Sequence, residues 1–487
     1  MKKYLAFDFG ASSGRSIVGL FDGEKLELQE THRFDNDPVM IRDTFTWDFP
    51  RLLFDLKKGI RLSFAQYPDI SSVGIDTWGV DFGLLDKNGE LLGNPVHYRD
   101  NRTDGMIEKA CGILSREEIF KTTGTAFNKF NSLYQLMALA DQNSPLLDAA
   151  DTFLFMPDLF NYMLTGDKCC EFTITSTAQM YNYKTGDWAY DMLGKLGIRT
   201  DILPKVVPAG TRLSNLSPQI CNELGASPVP VIAIAEHDTG SAALSVPYER
   251  ANSAFLSSGT WSLLGLELAE PIISNTAMEL NYTNEGCVNN RIRLLKNIMG
   301  MWVQNECKRN WEARGEKIIF SELDQSVFAS KPFMAVIDID DPSFFEPYDM
   351  PEKVQEFCKR TGQEVPQTHG EIMRVVMESL ALKYRNAIEG LETISGVKVP
   401  ALNIVGGGIK NKNLSRFTAN AIGRPVIAGP VEATAIGNIM GQMIAMGDVK
   451  DENQAREVVK KSFPLEYYEP EDVAIWDAAY ERLMNLK

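Results

Sequence analysis

The 487-residue sequence predicts an α/β protein of two lobes, each a mixed β-sheet flanked by helices. Three observations carry that prediction. The chain is longer than one hydrophobic core serves, so two domains are expected. A strand, a tight turn of small residues and a returning strand occur twice, over 4–21 and again over 253–268. Short apolar runs, Val231–Ala235 and Ala401–Val405, each lead into a turn and then helical spacing, as buried strands of α/β folds do.

In chain order, residues 4–9 read as a strand, Gly10-Ala-Ser-Ser-Gly14 as a turn and 15–21 as the returning strand. Asp22-Gly23 then marks a hairpin into a third strand, 25–34. Residues 52–64 carry helical spacing, and 71–77 form a strand ending in the polar cluster Asp76-Thr-Trp-Gly-Val-Asp81. A hairpin over 82–92 is expected to turn at Asn88-Gly89, and helices are expected over 104–121, 132–141 and 157–164. The Pro- and Ser-rich stretch 200–230 returns the chain to the Val231 strand, which breaks at Glu236-His-Asp-Thr-Gly240 before a helix.

The second half repeats the pattern: strand 253–256, turn Ser257-Ser-Gly-Thr260, strand 261–268. Later come strand 401–405 with Gly406-Gly-Gly408, helix 413–422, strand 426–428 with a glycine-bearing run to Gly437, and a last helix over 470–486. The expected division is 1–248 for the first lobe and 249–469 for the second, with residues 470–487 packing back on the first.

Apolar residues make up 44% of the chain and charged residues 23%, a globular composition. Against 49 Lys and Arg stand 65 Asp and Glu, a net charge of −16 that repels nucleic acid and anionic membranes. Seven scattered cysteines read as free thiols, and four histidines without a metal-binding spacing give zinc no support. No window has the length and hydropathy of a membrane span, and no secretory leader is read at the N-terminus, so a cytoplasmic setting is expected.

The chemistry centres on Asp238, at the carboxyl end of a buried strand and beside a helix N-terminus, where open α/β folds hold ligands. Amide donors and the helix dipole favour its ionised form, able to take a proton from an alcohol; the plainer alternative is that it only caps the helix. The turn Gly10–Gly14 offers backbone N–H groups to a phosphate, and Asp8 before it could orient a metal ion. Donor turns in both halves and one poised carboxylate meet the needs of phosphoryl transfer to an alcohol.

These segments resemble the FGGY family of carbohydrate kinases. The matching stretches are Asp8-Phe-Gly-Ala-Ser-Ser-Gly-Arg15, Ile75-Asp-Thr-Trp-Gly-Val-Asp-Phe82, Tyr98-Arg-Asp-Asn-Arg-Thr103, Met156-Pro-Asp158, His237-Asp-Thr239, Leu256-Ser-Ser-Gly-Thr-Trp-Ser262, Lys296-Asn-Ile-Met-Gly300, Ile404-Val-Gly-Gly-Gly408 and Gly429-Pro-Val-Glu-Ala433. They follow the family's order over essentially the whole chain. The second and seventh point to the branch acting on 6-deoxyketoses. The resemblance implies the actin-like ATPase (ribonuclease H-like) fold with a nucleotide cleft between lobes.

It further implies ATP and Mg²⁺ as cofactors and a small ketose as substrate, L-rhamnulose phosphorylated at O1, in a monomer or homodimer. By the same resemblance Asp238 is the general base. Ala11, Ser12, Ser13, Gly14, Arg15 and Thr260 line the ATP phosphates, and Gly407 lies beside the adenosine. Gly79, His237, Thr239 and Asn297 contact the sugar, and Asp8 holds Mg²⁺ through water.

Two departures stand out. Ser132-Leu-Tyr-Gln135 replaces a general signature with Lys and Trp, and Asn305, preceded by Gln304, occupies a position where the pattern has a nucleotide-contacting Gln. His237 either contacts sugar or braces Asp238. Trp78 and Trp261 are packing residues or sugar platforms, and Asp76 and Asp81 bind sugar or pair with Arg99 or Arg102. Rival functions are a kinase of L-fuculose, L-xylulose or glycerol, a conformational ATPase of the actin or Hsp70 kind, and a sugar-sensing regulator.

Overall fold

Strand pairing begins at the N-terminus, where the first strand is buried on both faces. The computed structural model describes residues 1–486. Lys2–Phe9 pairs antiparallel with Ser13–Phe21, which pairs antiparallel with Leu26–Asp35. On its other side Lys2–Phe9 runs parallel to Ser72–Thr77, and that strand runs parallel to Pro230–Ala233. Thr211–Asn215 closes the six-stranded sheet as an antiparallel edge. Tyr4, Leu5, Ala6 and Phe7 are wholly buried, as are Val231 and Ile232, which explains their unbroken apolar runs.

This sheet belongs to the first of two compact units, which comprises Met1–Pro247, Glu267–Leu294 and Ala433–Phe463. Its core joins Tyr4, Ala6 and Ile17 of the sheet to Ile436, Ile439, Met440 and Met443 of the helix Ala433–Ala445. That helix reaches polar groups of the sheet as well. Asn438 Nδ2 donates to Asp76 Oδ2 at 2.6 Å, and Gln442 Nε2 donates to the Leu5 carbonyl at 3.1 Å.

The second unit comprises Tyr248–Leu266, Leu295–Glu432 and Pro464–Lys487. Its strands stand in the order Ser262–Leu268, Ala254–Ser258, Leu402–Val405, Val426–Ala428 and Glu466–Tyr468. Their pairings are antiparallel, parallel, parallel and antiparallel. The first unit shows the same succession from Ser13–Phe21 to Thr211–Asn215. The repeat read from two hairpins therefore extends through five strands of each unit.

Several expectations are corrected. The last helix, Val473–Met484, belongs to the second unit, where it packs on the helix His369–Ser395. Arg385 pairs with Asp477 at 2.6 Å, Tyr480 donates to Glu389 at 2.7 Å, and Trp476 packs against Phe333 and Phe417. Residues 267–294 and 433–463, expected in the second lobe, belong to the first unit because the latter carry the helix that covers its sheet.

The expected hairpin over 82–92 is also different: Phe82–Leu85 pairs with Thr152–Phe155, leaving only a bridge from Leu85 to Leu91. The expected helix over 104–121 is two, Met106–Ile113 and Arg116–Thr123, because Ser115 and Glu118 form a capping box that starts a new one. All seven cysteines are free thiols, and no described helix is long and apolar enough to cross a membrane.

Candidate active site

The parallel strands of the first unit bring acidic residues to their carboxyl ends: Asp8 and Asp76 are the last residues but one of Lys2–Phe9 and Ser72–Thr77, and Asp238 follows Pro230–Ala233. Asp8 lies directly across from Asp76 in register, with Arg15 opposite on the other side. One strand further, Thr77 bridges to His237 and its N–H donates to the Glu236 carbonyl at 2.9 Å. Three carboxylates, Asp8, Asp76 and Asp238, thus sit at one edge of one sheet. Burial pushes the Asp76 carboxyl well above its usual range; the charge of Asp8 adds to this, Asn438 opposes it, and the charge of Asp238 adds again. Arg15 donates to Asp8 Oδ2 from Nε at 3.1 Å and from Nη2 at 2.8 Å.

Asp238 opens the helix Asp238–Leu244, and its side chain is 31% exposed. The residue before it, His237, occupies the N-cap position, so Asp238 does not fill the capping role that its sequence position suggests. Its Oδ1 accepts from the N–H and, at 3.0 Å, the hydroxyl of Thr239. Thr239 is buried, with both donors directed at Asp238. A Cβ added to Gly79 would meet His237 Nε2 at 3.3 Å and Thr177 at 3.4 Å, so the glycine keeps open the space over the imidazole.

Beneath this edge lies a set of buried acids that holds the backbone. Glu171 Oε2 accepts from the Thr173 hydroxyl at 2.6 Å, the Ile174 N–H at 3.1 Å and the Glu236 N–H at 3.2 Å. Thr173 Oγ1 in turn accepts from the His237 N–H at 3.2 Å. Asp158, Glu171 and Glu236 are all fully enclosed, and burial raises each of them, Glu171 to about 7. His237 is braced from the side too: its Nδ1 lies 3.3 Å from Glu285 Oε2 and 3.2 Å from Arg293 Nη2.

The turn after the first strand is drawn back by Asn36, which donates to the Gly10 carbonyl at 2.9 Å and, from its backbone, to the Ser12 carbonyl at 3.1 Å. Gly14 is needed because a Cβ there would lie 2.3 Å from the Phe34 ring. Ala11 and Ser13 are half-buried and Ser12 is exposed.

Thr260, Gly407 and Asn297 belong to the second unit. Thr260 is exposed in the turn between Ala254–Ser258 and Ser262–Leu268. Gly407 is exposed, with Gly406 before it at φ +91° and Gly408 after it, where a Cβ would strike Ser258 Oγ. Asn297 lies near the end of the strand Ile292–Ile298 and is half-buried. Gln304 is buried and its Oε1 accepts from Asn411 at 3.3 Å, whereas Asn305 is exposed.

Asp81 and Trp78 face the interior of the first unit. Asp81 accepts from the indoles of Trp47 at 2.7 Å and Trp78 at 3.0 Å, from the Tyr98 N–H at 3.1 Å and from Gln135 at 3.0 Å. Burial raises its carboxyl to about 6 against those donors. Asp81 and Trp78, the latter 4.0 Å from Trp47 between ring centroids, are therefore packing partners of each other. Gln135, in the segment that departs from the family pattern, is what Asp81 requires there.

No local pattern in the sequence marks Glu285, Arg293 or Asn438 as part of this site. Arg293 carries one signal, a lone charge in the apolar run Ile292–Leu295 where every residue is buried.

Comparison with known proteins gives two family matches. The N-terminal domain of the FGGY family of carbohydrate kinases matches residues 3–245, and its C-terminal domain matches 254–446. The rhamnulokinase of Bacteroides thetaiotaomicron is 43% identical over 484 residues, 99% of each chain. That of Oceanobacillus iheyensis is 42% identical over 464 residues, 95% of this chain and 97% of its own. Among solved structures, a ligand-bound xylulose kinase from Lactobacillus acidophilus superposes with a TM-score of 0.81 at 15% identity, covering 99% of this chain and 97% of its own. That likeness shows the fold, the actin-like ATPase fold of sugar kinases.

Proposed function

The chain belongs to the FGGY family of carbohydrate kinases, and from that premise we propose that it transfers the γ-phosphoryl group of ATP to O1 of L-rhamnulose. The products are L-rhamnulose 1-phosphate and ADP, and the cytoplasm, where ATP is at hand, is the setting. The full-length rhamnulokinase relatives support the choice of sugar.

One observation carries the chemistry: Asp238 is partly exposed, fixed through Oδ1 by Thr239, and set beside the space that Gly79 keeps open over His237. A sugar hydroxyl entering there gives its proton to the carboxylate as the oxygen attacks phosphorus. In the first unit Gly79, His237 and Thr239 position the sugar, and the turn Ala11, Ser12, Ser13 and Gly14, with Arg15, binds the phosphates. In the second unit the family resemblance gives Asn297 a sugar contact, Thr260 a phosphate contact and Gly407 the adenosine.

Mg²⁺ neutralises charge on the phosphates when bound. Among the described residues no group of three His, Cys, Asp or Glu side chains is arranged to hold a metal. Mg²⁺ carried by ATP needs only one or two carboxylates, with water and phosphate completing its shell. Asp8 fits that requirement, backed by Asp76, whose buried Oδ1 finds no hydrogen-bond partner among the described residues. Replacing Asp8 by Asn should raise the Mg²⁺ concentration needed for half-maximal rate.

ADP release measured with rhamnulose, fuculose, xylulose and glycerol tests the assignment. Rhamnulose should give the highest kcat/KM. A higher value for glycerol or xylulose would overturn the choice of substrate.

A further inference from the structure

We propose that Arg293 is a positioning residue for sugar binding: by donating to Nδ1 of His237 it fixes the imidazole as the Nε2–H tautomer, a hydrogen-bond donor for a sugar oxygen. The inference rests on the function proposed above, and every residue in it belongs to the first unit.

A guanidinium shut off from water needs its hydrogen bonds and its counter-charge close by. The side chain of Arg293 is 0% exposed. Its Nε donates to the Gly286 carbonyl at 2.9 Å, which anchors the head group on the backbone. Its Nη2 makes a hydrogen bond of 3.2 Å with His237 Nδ1. Glu285 Oε2, 3.2 Å from Nη2, supplies the opposite charge but finds no hydrogen-bond partner among the described residues. The hydrogen bonds of Arg293 thus go to one carbonyl and one imidazole nitrogen, not to the acid beside them.

That choice decides where the imidazole proton sits. A guanidinium has donors and no acceptor, so a ring nitrogen that shares a hydrogen bond with it must accept. An Nδ1–H would set two N–H groups head to head at 3.2 Å. With Nδ1 accepting, the neutral ring carries its proton on Nε2. The neighbouring acid does not reverse this. Glu285 Oε2 lies 3.3 Å from Nδ1 without a hydrogen bond, and the guanidinium attracts both acceptors from 3.2 Å.

The residue is held from its backbone as well. The His237 N–H donates to Thr173 Oγ1 at 3.2 Å, and His237 bridges to Thr77 of the neighbouring strand. On the far side of the ring, Nε2 is 3.4 Å from Asp238 Oδ1, beyond a hydrogen bond, and that oxygen already accepts from the N–H and hydroxyl of Thr239. His237 is only 7% exposed, yet Nε2 makes no hydrogen bond among the described residues. Gly79 keeps the space before it open, since a Cβ there would lie 3.3 Å from Nε2. An enclosed donor without a protein partner, facing space that a glycine preserves, is a donor kept for a ligand.

The ligand atom that suits it is an acceptor, the lone pair of a sugar hydroxyl or carbonyl oxygen. His237 in this form cannot take the proton of the reacting hydroxyl, because its bare nitrogen is engaged by Arg293. Two neighbours in sequence then divide the task. Nε2–H holds one sugar oxygen, and Asp238 takes the proton of another.

Side-chain ¹⁵N-histidine labelling reads the tautomer directly, with the His237→Asn variant identifying the signal among four histidines. At about pH 8, where imidazole is ordinarily neutral, the wild type should show Nε2–H. Glu285→Gln should keep that signal, since Arg293 still donates to Nδ1. Arg293→Lys should lose it: the ammonium keeps the charge but lacks the planar fork that reaches the carbonyl and Nδ1 together, and Nδ1–H should turn to Glu285. In turnover, Arg293→Lys should raise KM for the sugar ~3–10-fold, the scale of one hydrogen bond made alike in ground and transition states. KM for ATP and kcat should move by less than about twofold.

An Nδ1–H tautomer in the wild type overturns the proposal. So does a Glu285→Gln protein whose signal shifts, or an Arg293→Lys protein that keeps the Nε2–H form or weakens ATP as much as sugar. The wild-type tautomer needs no variant at Arg293 or Glu285, so the test survives if either fails to fold. An absence of ketose kinase activity in the wild type would instead strike the functional assignment, while the tautomer still decides whether Arg293 sets His237.

Discussion

At Asp238, exchange of one atom separates a base from a brace. Asn keeps the size and one acceptor for Thr239, and the N-cap position belongs to His237, so the helix should hold and the melting temperature should move little. It cannot take a proton, and the loss should fall on kcat, ~10²–10⁴-fold or about 3–5 kcal/mol of barrier. Steady-state kinetics on Asp238→Asn checks this; a variant keeping more than about a tenth of wild-type kcat would show that another group is the base. Asp238, His237 and Gly79 are legible in the sequence because each sits in a short contiguous motif at a strand's end. Glu285 and Arg293 are not, since Arg293 meets His237 across 56 residues of chain and leaves no local pattern.

At the scale of elements, the helix Ala433–Ala445 is the least forgiving contact. A Cβ on Gly437 would lie 1.7 Å from the Ser241 carbonyl oxygen, and backbone cannot yield as a flexible side chain would. Gly437→Ala should therefore cost about 3 kcal/mol or more, and kcat should fall with it because the helix pushed aside is the one Asp238 begins. Gly112→Ala is the counterpart. That helix position has nothing within 4 Å of an added Cβ, and alanine there should stabilise by about 0.5–1 kcal/mol. Denaturant midpoints measure both.

The strands can be read from the sequence because their apolar runs and turns are local. The helix Ala433–Ala445 cannot: Gly429 to Gly437 looks like a glycine turn, and its helical state depends on burial against strands some 400 residues earlier. The last helix is recognisable, but its partner, the helix His369–Ser395, is not visible in the last helix's own residues. The Thr368–Glu371 capping box marks that partner's start.

Across the whole molecule the buried acids set the response to pH. Burial raises Asp81 to about 6 and Glu171 to about 7, and Asp76, Asp158 and Glu236 rise as well. Each folded value exceeds the unfolded one, near 3.8 for Asp and 4.5 for Glu, so the folded protein binds more protons. That stabilisation is full below the unfolded values and is lost as pH climbs through the folded ones. Asp341, held low against burial by the hydroxyl and N–H of Ser343 and then by Arg360, and Glu352, held low by Arg314, act in the opposite sense and lose their share as pH falls through their lowered values. Repulsion within a chain of net charge −16 adds to the loss at high pH. The melting temperature should climb as pH drops from about 8 toward 5 and decline below about 4. Thermal melts at constant ionic strength check it, and a maximum at pH 8 would contradict it.

The three-segment makeup of the first unit also has a consequence for synthesis. The strand Lys2–Phe9 leaves the ribosome roughly 420 residues ahead of the helix that covers it. At about 5–20 residues per second the wait is roughly 20–85 s. Through that interval Tyr4, Ala6 and Ile17 have no helix over them, and Asp76 has no Asn438. Translation that halts before Ala433 leaves a nascent chain with an uncapped apolar sheet face and an acid lacking its amide, a species for chaperones or proteases to meet before any sugar does.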